Sequence, residues 1–144
     1  MIKPDAIQRN LAGEIVSRFE KKGLKLVAMK FLLIPQEKAE ELYAVHKGKP
    51  FYEGLIKLAT SSPIIASVWE GTEAVKVVRT LIGSTKAREA APGTVRGDYG
   101  IGVPENLVHA SDSVENAQKE MSIFFPENEI YSHEKHVDVW LGKE

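Results

Sequence analysis

Apolar side chains at Leu11, Ile15, Val16 and Phe19 recur at helical spacing with charges between them, and Gly23 interrupts the run. The pattern predicts an amphipathic helix over 11–22. The next stretch, 24–34, alternates instead. Leu24, Leu26, Ala28 and Lys30 face one way and Lys25, Val27, Met29, Phe31 and Leu33 the other, as in a long strand that Pro35 ends. Positions 36–46 are rich in Glu, Ala and Leu and read as helix, and Pro50 gives the start signal for another over 51–60. A β-branched and aromatic run over 64–69 reads as a second strand, closed by Gly71. Thr72 then stands where a cap belongs, ahead of a helix with Ala74, Val75, Val78, Leu81 and Ile82 as its apolar stripe and Gly83 at its end.

Periodicity dissolves over 84–104, where Pro92, Gly93, Gly97, Gly100, Gly102 and Pro104 punctuate a loop of functional length. A strand over 103–110 closes with Leu107 and Val108. Asp112 or Ser113 then caps a helix over 114–124, with Glu115 placed for a capping box. The tail, 126–144, mixes apolar pairs with charge and is expected to wrap the surface or a neighbour. With a short first strand at Ile2 and Lys3, the order reduces to β-α-β-β-α-β. The expected fold is therefore α+β: a ferredoxin-like sandwich, a four-stranded antiparallel sheet covered by helices, with inserted helices and a long glycine-rich loop. No repeat or linker divides the chain, so 1–144 is expected to be one domain.

A chain of 144 residues with 43% hydrophobic and 27% charged side chains has the profile of an ordinary globular domain. Nineteen basic residues against 20 acidic ones leave a net charge of -1, which argues against dedicated nucleic-acid binding. With no cysteine, disulfides, thiolate metal sites and cysteine nucleophiles are excluded. The longest apolar stretch is broken by Lys25 and Lys30 and is too short to span a membrane; a cytoplasmic location is expected.

Against that background His109 stands out, at a strand-to-helix turn in the string Asn106-Leu-Val-His109-Ala-Ser111-Asp112-Ser113. Imidazole is basic yet largely unprotonated near neutrality, so it serves as nucleophile, general base or metal ligand. Taken alone, His109 is equally compatible with a satisfied, half-buried histidine. Glu120 follows after eleven residues, about three helical turns, and so returns to the same face, where a carboxylate would fix the ring's tautomer. Lys3, Arg79 and Arg96 are each ordinary surface charges when read singly. Together they form a candidate polyphosphate clamp, with Thr85 and Asn106 as neutral hydrogen-bonding partners. Phe51, at a helix start, is either a core aromatic or a ring exposed for stacking on a base.

The strings Met1-Ile-Lys3-Pro4-Asp5-Ala6 with Gln8-Arg9, Val68-Trp69-Glu70-Gly71, Pro92-Gly93-Thr94-Val95-Arg96-Gly97-Asp98 and Asn106 to Ser113 closely resemble, in order and spacing, the nucleoside diphosphate kinases. The resemblance implies ping-pong transfer of a γ-phosphoryl group from a nucleoside triphosphate such as ATP to a nucleoside diphosphate through phosphohistidine at His109. It further implies that Lys3, Tyr43 and Asn106 lie near the transferring group. Arg79, Thr85 and Arg96 would contact the other phosphates, and Phe51 and Val103 would sandwich the base. Ser111 and Glu120 would support the histidine. Magnesium would bridge nucleotide phosphates with little protein ligation, base and sugar would be broadly tolerated, and the chain would form a homo-oligomer, a hexamer in preference to a tetramer or dimer. Family members usually carry several residues ahead of the Met1 string that complete the first strand, so either such residues are missing from this sequence or its first strand is unusually short. Glu105 stands where many relatives have a basic residue and Ala87 where a proline is common.

Three other readings compete. A regulatory nucleotide binder on the same fold would have lost the nucleophile, yet His109 is present. An RNA-binding sandwich needs stacking aromatics on its central strands, and 103–110 has none. A zinc hydrolase needs a ligand constellation that His46, His109, His133 and His136 do not spell, the i, i+3 pair His133 and His136 reading as a solvated tail feature.

Overall fold

The computed structural model describes residues 1–141. Its elements run α1 (Pro4–Gln8), α2 (Ala12–Lys21), β1 (Lys25–Leu32), α3 (Gln36–Leu42), α4 (Tyr52–Thr60), β2 (Ile64–Glu70), α5 (Ala74–Ile82), α6 (Val95–Tyr99) and α7 (Val114–Phe124), with short 3-10 turns between. Helix α1 has no apolar periodicity to announce it. Pro4 starts it by supplying a preset φ at a position that needs no N–H.

Strands β1 and β2 pair antiparallel from Lys25 opposite Glu70 to Leu32 opposite Ile64. A bulge between Leu26 and Ala28 breaks the alternation expected for 24–34, so Val27 and Ala28 both enter the same core. The bulge also leaves the Val27 carbonyl free to accept the N–H of Tyr131 at 2.9 Å, which draws the tail back along β1. Lys25 strengthens that return by donating to the His133 carbonyl at 2.7 Å. The last three residues of the expected tail, 142–144, lie outside the described ones.

The expected four-stranded sheet is replaced, among the described residues, by a two-stranded sheet with two single bridges, Ile2 to Ile65 and Ile2 to Val108. The bridging segments lie side by side: Ile2 and Ile65 exchange both backbone bonds at 2.7 and 3.2 Å, and the His109 N–H donates to the Met1 carbonyl at 2.9 Å. Neither lengthens into a strand. Pro4 turns the first into helix two residues on, and Leu107 interrupts the other with a φ of +74°. Only Val108 of the strand expected over 103–110 therefore pairs across.

This sheet separates two apolar layers. Ile64, Ala66 and Val68 of β2 face a core with Leu42, Tyr43, Ile56 and Phe124, while Ile65 and Trp69 face a second built on Ile2, Ile15, Phe19, Ile82 and Leu107. The Trp69 and Phe19 rings meet edge to face at 5.3 Å.

Several boundaries differ from the sequence expectation for identifiable reasons. The helix expected over 36–46 stops at Leu42, and 44–46 tightens into a 3-10 turn. Glu73, in a left-handed conformation, takes the N-cap position of α5 in place of Thr72. The loop over 84–104 contains a 3-10 turn at Ala87–Glu89 and helix α6. Thr94 caps α6 by accepting the Gly97 N–H at 3.0 Å, and Asp98 accepts the Gly93 N–H at 2.8 Å, so the glycines and prolines bracket a helix and do not prevent one.

Candidate active site

His109 emerges from the Val108 bridge just ahead of α7, whose N-cap is Ser113, accepting the Asn116 N–H at 3.0 Å. Asp112 instead accepts from the Asn116 side chain, and Glu115 pairs with Lys119 at 2.8 Å, so the expected capping box does not form. Three turns of α7 return Glu120 to the histidine, with Oε1 3.0 Å from Nε2. Ser111 Oγ donates to the other carboxylate oxygen. Burial works against an ionised Glu120, but the bonds from His109 and Ser111 hold its pKa below the usual carboxylate value.

Burial pulls the His109 pKa below its ordinary value, against the pull of Glu120 and with the help of Lys3. The ring is therefore neutral at pH 7. A neutral imidazole beside an ionised acceptor carries its proton on Nε2, which leaves the Nδ1 lone pair available. With 24% of its side chain exposed, His109 can be reached by a ligand. The Tyr43 ring packs edge to face on it at 5.5 Å, and the Tyr43 hydroxyl is buried without a hydrogen-bond partner.

A cationic cluster adjoins the histidine. Lys3, 3% exposed, donates from Nζ to Asn106 Oδ1 at 3.0 Å and to the Pro104 carbonyl. Burial lowers its pKa to about 8, with Asp5 and Glu105 pulling upward and Arg96 downward. Asn106 in turn donates from Nδ2 to the Thr85 carbonyl at 2.9 Å. Arg96, 5% exposed, donates to the carbonyls of Asn106, Gly83 and Val108 at 3.1, 3.0 and 2.7 Å. Of its five N–H donors two are left for a ligand, and burial, with Arg79 nearby, lowers its pKa to about 10. Arg79 is exposed and donates to the Ala110 carbonyl at 3.2 Å.

The structure thus brings together His109, Glu120, Ser111, Tyr43, Lys3, Asn106, Arg96, Arg79 and the Thr85 backbone. Phe51 joins through a relay of rings: it meets His46 at 5.3 Å, and His46 stacks on Tyr43 at 6.4 Å. Phe51 is 51% exposed, which removes the core-aromatic alternative. Val103 is also exposed, in the segment before Pro104. Sequence reasoning missed His46 as a ring in this relay and missed Asp5, whose Oδ2 accepts the Leu107 N–H. Asp5 lies inside the Lys3-Pro4-Asp5 string, and a carboxylate in the first turn of a helix was the available signal. An apolar groove between β2, α5 and α7, walled by Val68, Val78, Ala117 and Phe124, reaches His109, Ser111 and Glu120 but none of Lys3, Arg79 and Arg96. Groove and cationic cluster meet at the histidine.

Comparison with known proteins gives this arrangement its context. The family model for nucleoside diphosphate kinase matches residues 1–130. The chain is 53% identical over 144 residues to a nucleoside diphosphate kinase of Archaeoglobus fulgidus, covering 100% of this chain and 95% of that one. It is 52% identical over 141 residues to one of Carboxydothermus hydrogenoformans, covering 98% and 95%. Among solved structures, a halophilic nucleoside diphosphate kinase from Halobacterium salinarum in complex with CDP superimposes with a TM-score of 0.95 at 45% identity, covering 99% of this chain and 95% of that chain. A nucleoside diphosphate kinase family protein from Babesia bovis gives 0.94 at 42%, covering 98% and 95%.

An α+β fold of this kind, shared over almost its whole length with kinases, defines a phosphotransferase. The chain belongs to the nucleoside diphosphate kinase family and is an enzyme of that class. No helix among the described residues is long and apolar enough to cross a membrane.

Proposed function

We propose that this enzyme moves a γ-phosphoryl group from a nucleoside triphosphate to a nucleoside diphosphate by a ping-pong route through phosphohistidine at His109. The Nδ1 lone pair attacks the γ-phosphorus, the bond to the β,γ-bridging oxygen breaks, and the first diphosphate leaves. A β-phosphate oxygen of a second diphosphate then attacks the phosphorus, and the N–P bond breaks. The observation that carries the reading is the 3.0 Å contact between His109 Nε2 and Glu120, which directs the free nitrogen away from the carboxylate while buried Lys3 and Arg96 stand alongside.

Phosphoryl transfer asks mainly for positioning and charge stabilisation. Lys3, Tyr43 and Asn106 attend the transferring group; Arg79, Thr85 and Arg96 take the remaining phosphates. Phe51 and Val103 offer exposed apolar surface to the base, a mode that suits any base and hence the upkeep of triphosphate pools. CDP, the nucleotide in the Halobacterium salinarum structure, is one diphosphate of the proposed class.

Among the described residues no group of three His, Asp or Glu side chains is placed to hold a metal. Magnesium, when bound, enters on the nucleotide phosphates and screens their charge; none of the residue roles above is routed through it. The bridging segments at Ile2 and Val108 act as the two remaining strands of a ferredoxin-like sheet. Apolar side chains left exposed on β1, Phe31 at 66% above all, support contacts between subunits, and the assembly proposed is a hexamer in the cytoplasm.

Incubating the protein with γ-labelled ATP tests the reading. The expected result is an acid-labile, base-stable adduct that ADP or CDP discharges and that His109→Gln fails to form while still binding ADP. An acid-stable adduct, or label transfer by His109→Gln, would falsify the assignment.

A further inference from the structure

Asp5 sits in the first turn of α1 with no role in the steps above, yet it holds the turn from which His109 projects. Leu107, fully buried, has a φ of +74°, a conformation that branched side chains rarely adopt. The Val108 N–H closes back on the Asn106 carbonyl at 2.9 Å, which makes Leu107 the centre of a γ-turn. Segment 3–5 grips that residue at both ends. The Lys3 N–H donates to the Leu107 carbonyl at 2.9 Å, and the Leu107 N–H donates to Asp5 Oδ2 at 2.9 Å. Asn106, which holds the Lys3 ammonium, precedes the strained residue, and His109 follows it by two. The direction of both site residues therefore depends on this grip.

The second carboxylate oxygen, Asp5 Oδ1, is buried without a hydrogen-bond partner. A buried acceptor left without a bond is costly unless its charge serves its surroundings. Here it faces cations. We infer that Asp5 is a positioning residue for the phosphoryl transfer: its carboxylate pins the left-handed Leu107 turn that aims His109, and it supplies the buried negative charge that Lys3 and Arg96 face. This rests on His109 being the phosphoryl acceptor.

The groups around Lys3 give the charge a readable consequence. Asp5 faces it from α1, Arg96 from α6 and Glu105 from the segment before Asn106, with the neutral Asn106 and Pro104 oxygens as its bonding partners. Burial sets the Lys3 pKa at about 8, and Asp5 leads the groups that pull it upward. Removing that charge lets Lys3 lose its proton at lower pH.

The test is the rate of protein phosphorylation by γ-labelled ATP, followed from about pH 6 to about pH 10 in the wild type, Asp5→Asn and Asp5→Glu. Asp5→Asn keeps an acceptor for Leu107 and removes the charge. Its alkaline limb is expected to move down by about one pH unit, with ADP affinity within about twofold of wild type. Asp5→Glu keeps the charge and misplaces the acceptor, so its limb stays in place while the rate falls about tenfold at every pH. An unmoved limb in Asp5→Asn, or a wild-type rate in Asp5→Glu, overturns the inference; should Asp5→Asn fail to fold, the Asp5→Glu rate alone decides. A wild type that takes no label on histidine removes the phosphohistidine reading instead, a result distinct from labelling that Asp5 leaves untouched.

Discussion

Glu120 Oε1 lies 3.0 Å from His109 Nε2, while its other oxygen accepts the Ser111 hydroxyl, so one carboxylate orients the ring and is itself oriented. Glu120→Gln preserves the shape and removes the charge that stabilises an imidazole gaining positive character in the transition state. Phosphorylation of His109 is expected to slow by about tenfold or more, with ADP affinity little changed. Ser111→Ala should cost only a few-fold. Single-turnover labelling with γ-labelled ATP measures both, and a Glu120→Gln enzyme as fast as wild type would detach the carboxylate from the chemistry.

Activity and stability should respond to alkali in opposite directions. The labelling rate rises as pH climbs through the lowered His109 pKa, because only the neutral ring attacks, and it falls beyond about pH 8, where buried Lys3 loses its charge. The Lys3 pKa is depressed in the folded state from its ordinary 10.5 to about 8, so within that window the unfolded chain binds a proton the folded one lacks. Its contribution to unfolding free energy thus grows with pH between those values, by up to about 3 kcal/mol, and is lost as pH falls back through about 8. Denaturant titrations at about pH 8 and about pH 9.5 read this directly. Stability that drops over the interval would contradict the buried, charged Lys3.

Phe51 gives a cleaner separation of binding from chemistry. Half exposed, meeting His46 edge to face and lying under the Lys49 ammonium, its ring is outside the buried core. Phe51→Ala should raise KM by roughly tenfold for purine and pyrimidine nucleotides alike, the worth of one stacking contact, and leave the melting temperature nearly unchanged. Steady-state kinetics with ADP and CDP check this; a kcat effect confined to one base would point to a different role.

Gly97 lies in α6 beside Arg96. A methyl group there would overlap the Ala91 carbonyl oxygen and crowd the Thr94 hydroxyl that caps the helix. Although alanine favours helix, Gly97→Ala is expected to destabilise the protein by roughly 1–3 kcal/mol, through overpacking against backbone that cannot yield. Thermal denaturation is the measurement, and a stabilised variant would show that the loop is free to shift.

Much of this was legible in the chain because the relevant signals are local. Apolar spacing located α2 and α5, a β-branched and aromatic run located β2, and the eleven-residue interval from His109 to Glu120 was enough to place a carboxylate on the ring. What escaped were features fixed by contacts distant in sequence. The bulge at Val27 is tied to Tyr131, Asp5 reaches Leu107 across the site, and Arg96 spends three of its donors on backbone carbonyls, which no local pattern announces. Glycine and proline in 84–104 argued for an open loop, yet Thr94 and Asp98 close a short helix within it.

The three carbonyls that Arg96 bonds belong to Gly83 at the end of α5, Asn106 beside the γ-turn and Val108 next to the histidine. One guanidinium thus ties the end of α5 and both ends of the 106–108 turn to α6. A shorter or neutral side chain at that position would let the walls of the cleft drift independently. Defects there should register as a looser cleft together with a weaker grip on nucleotide.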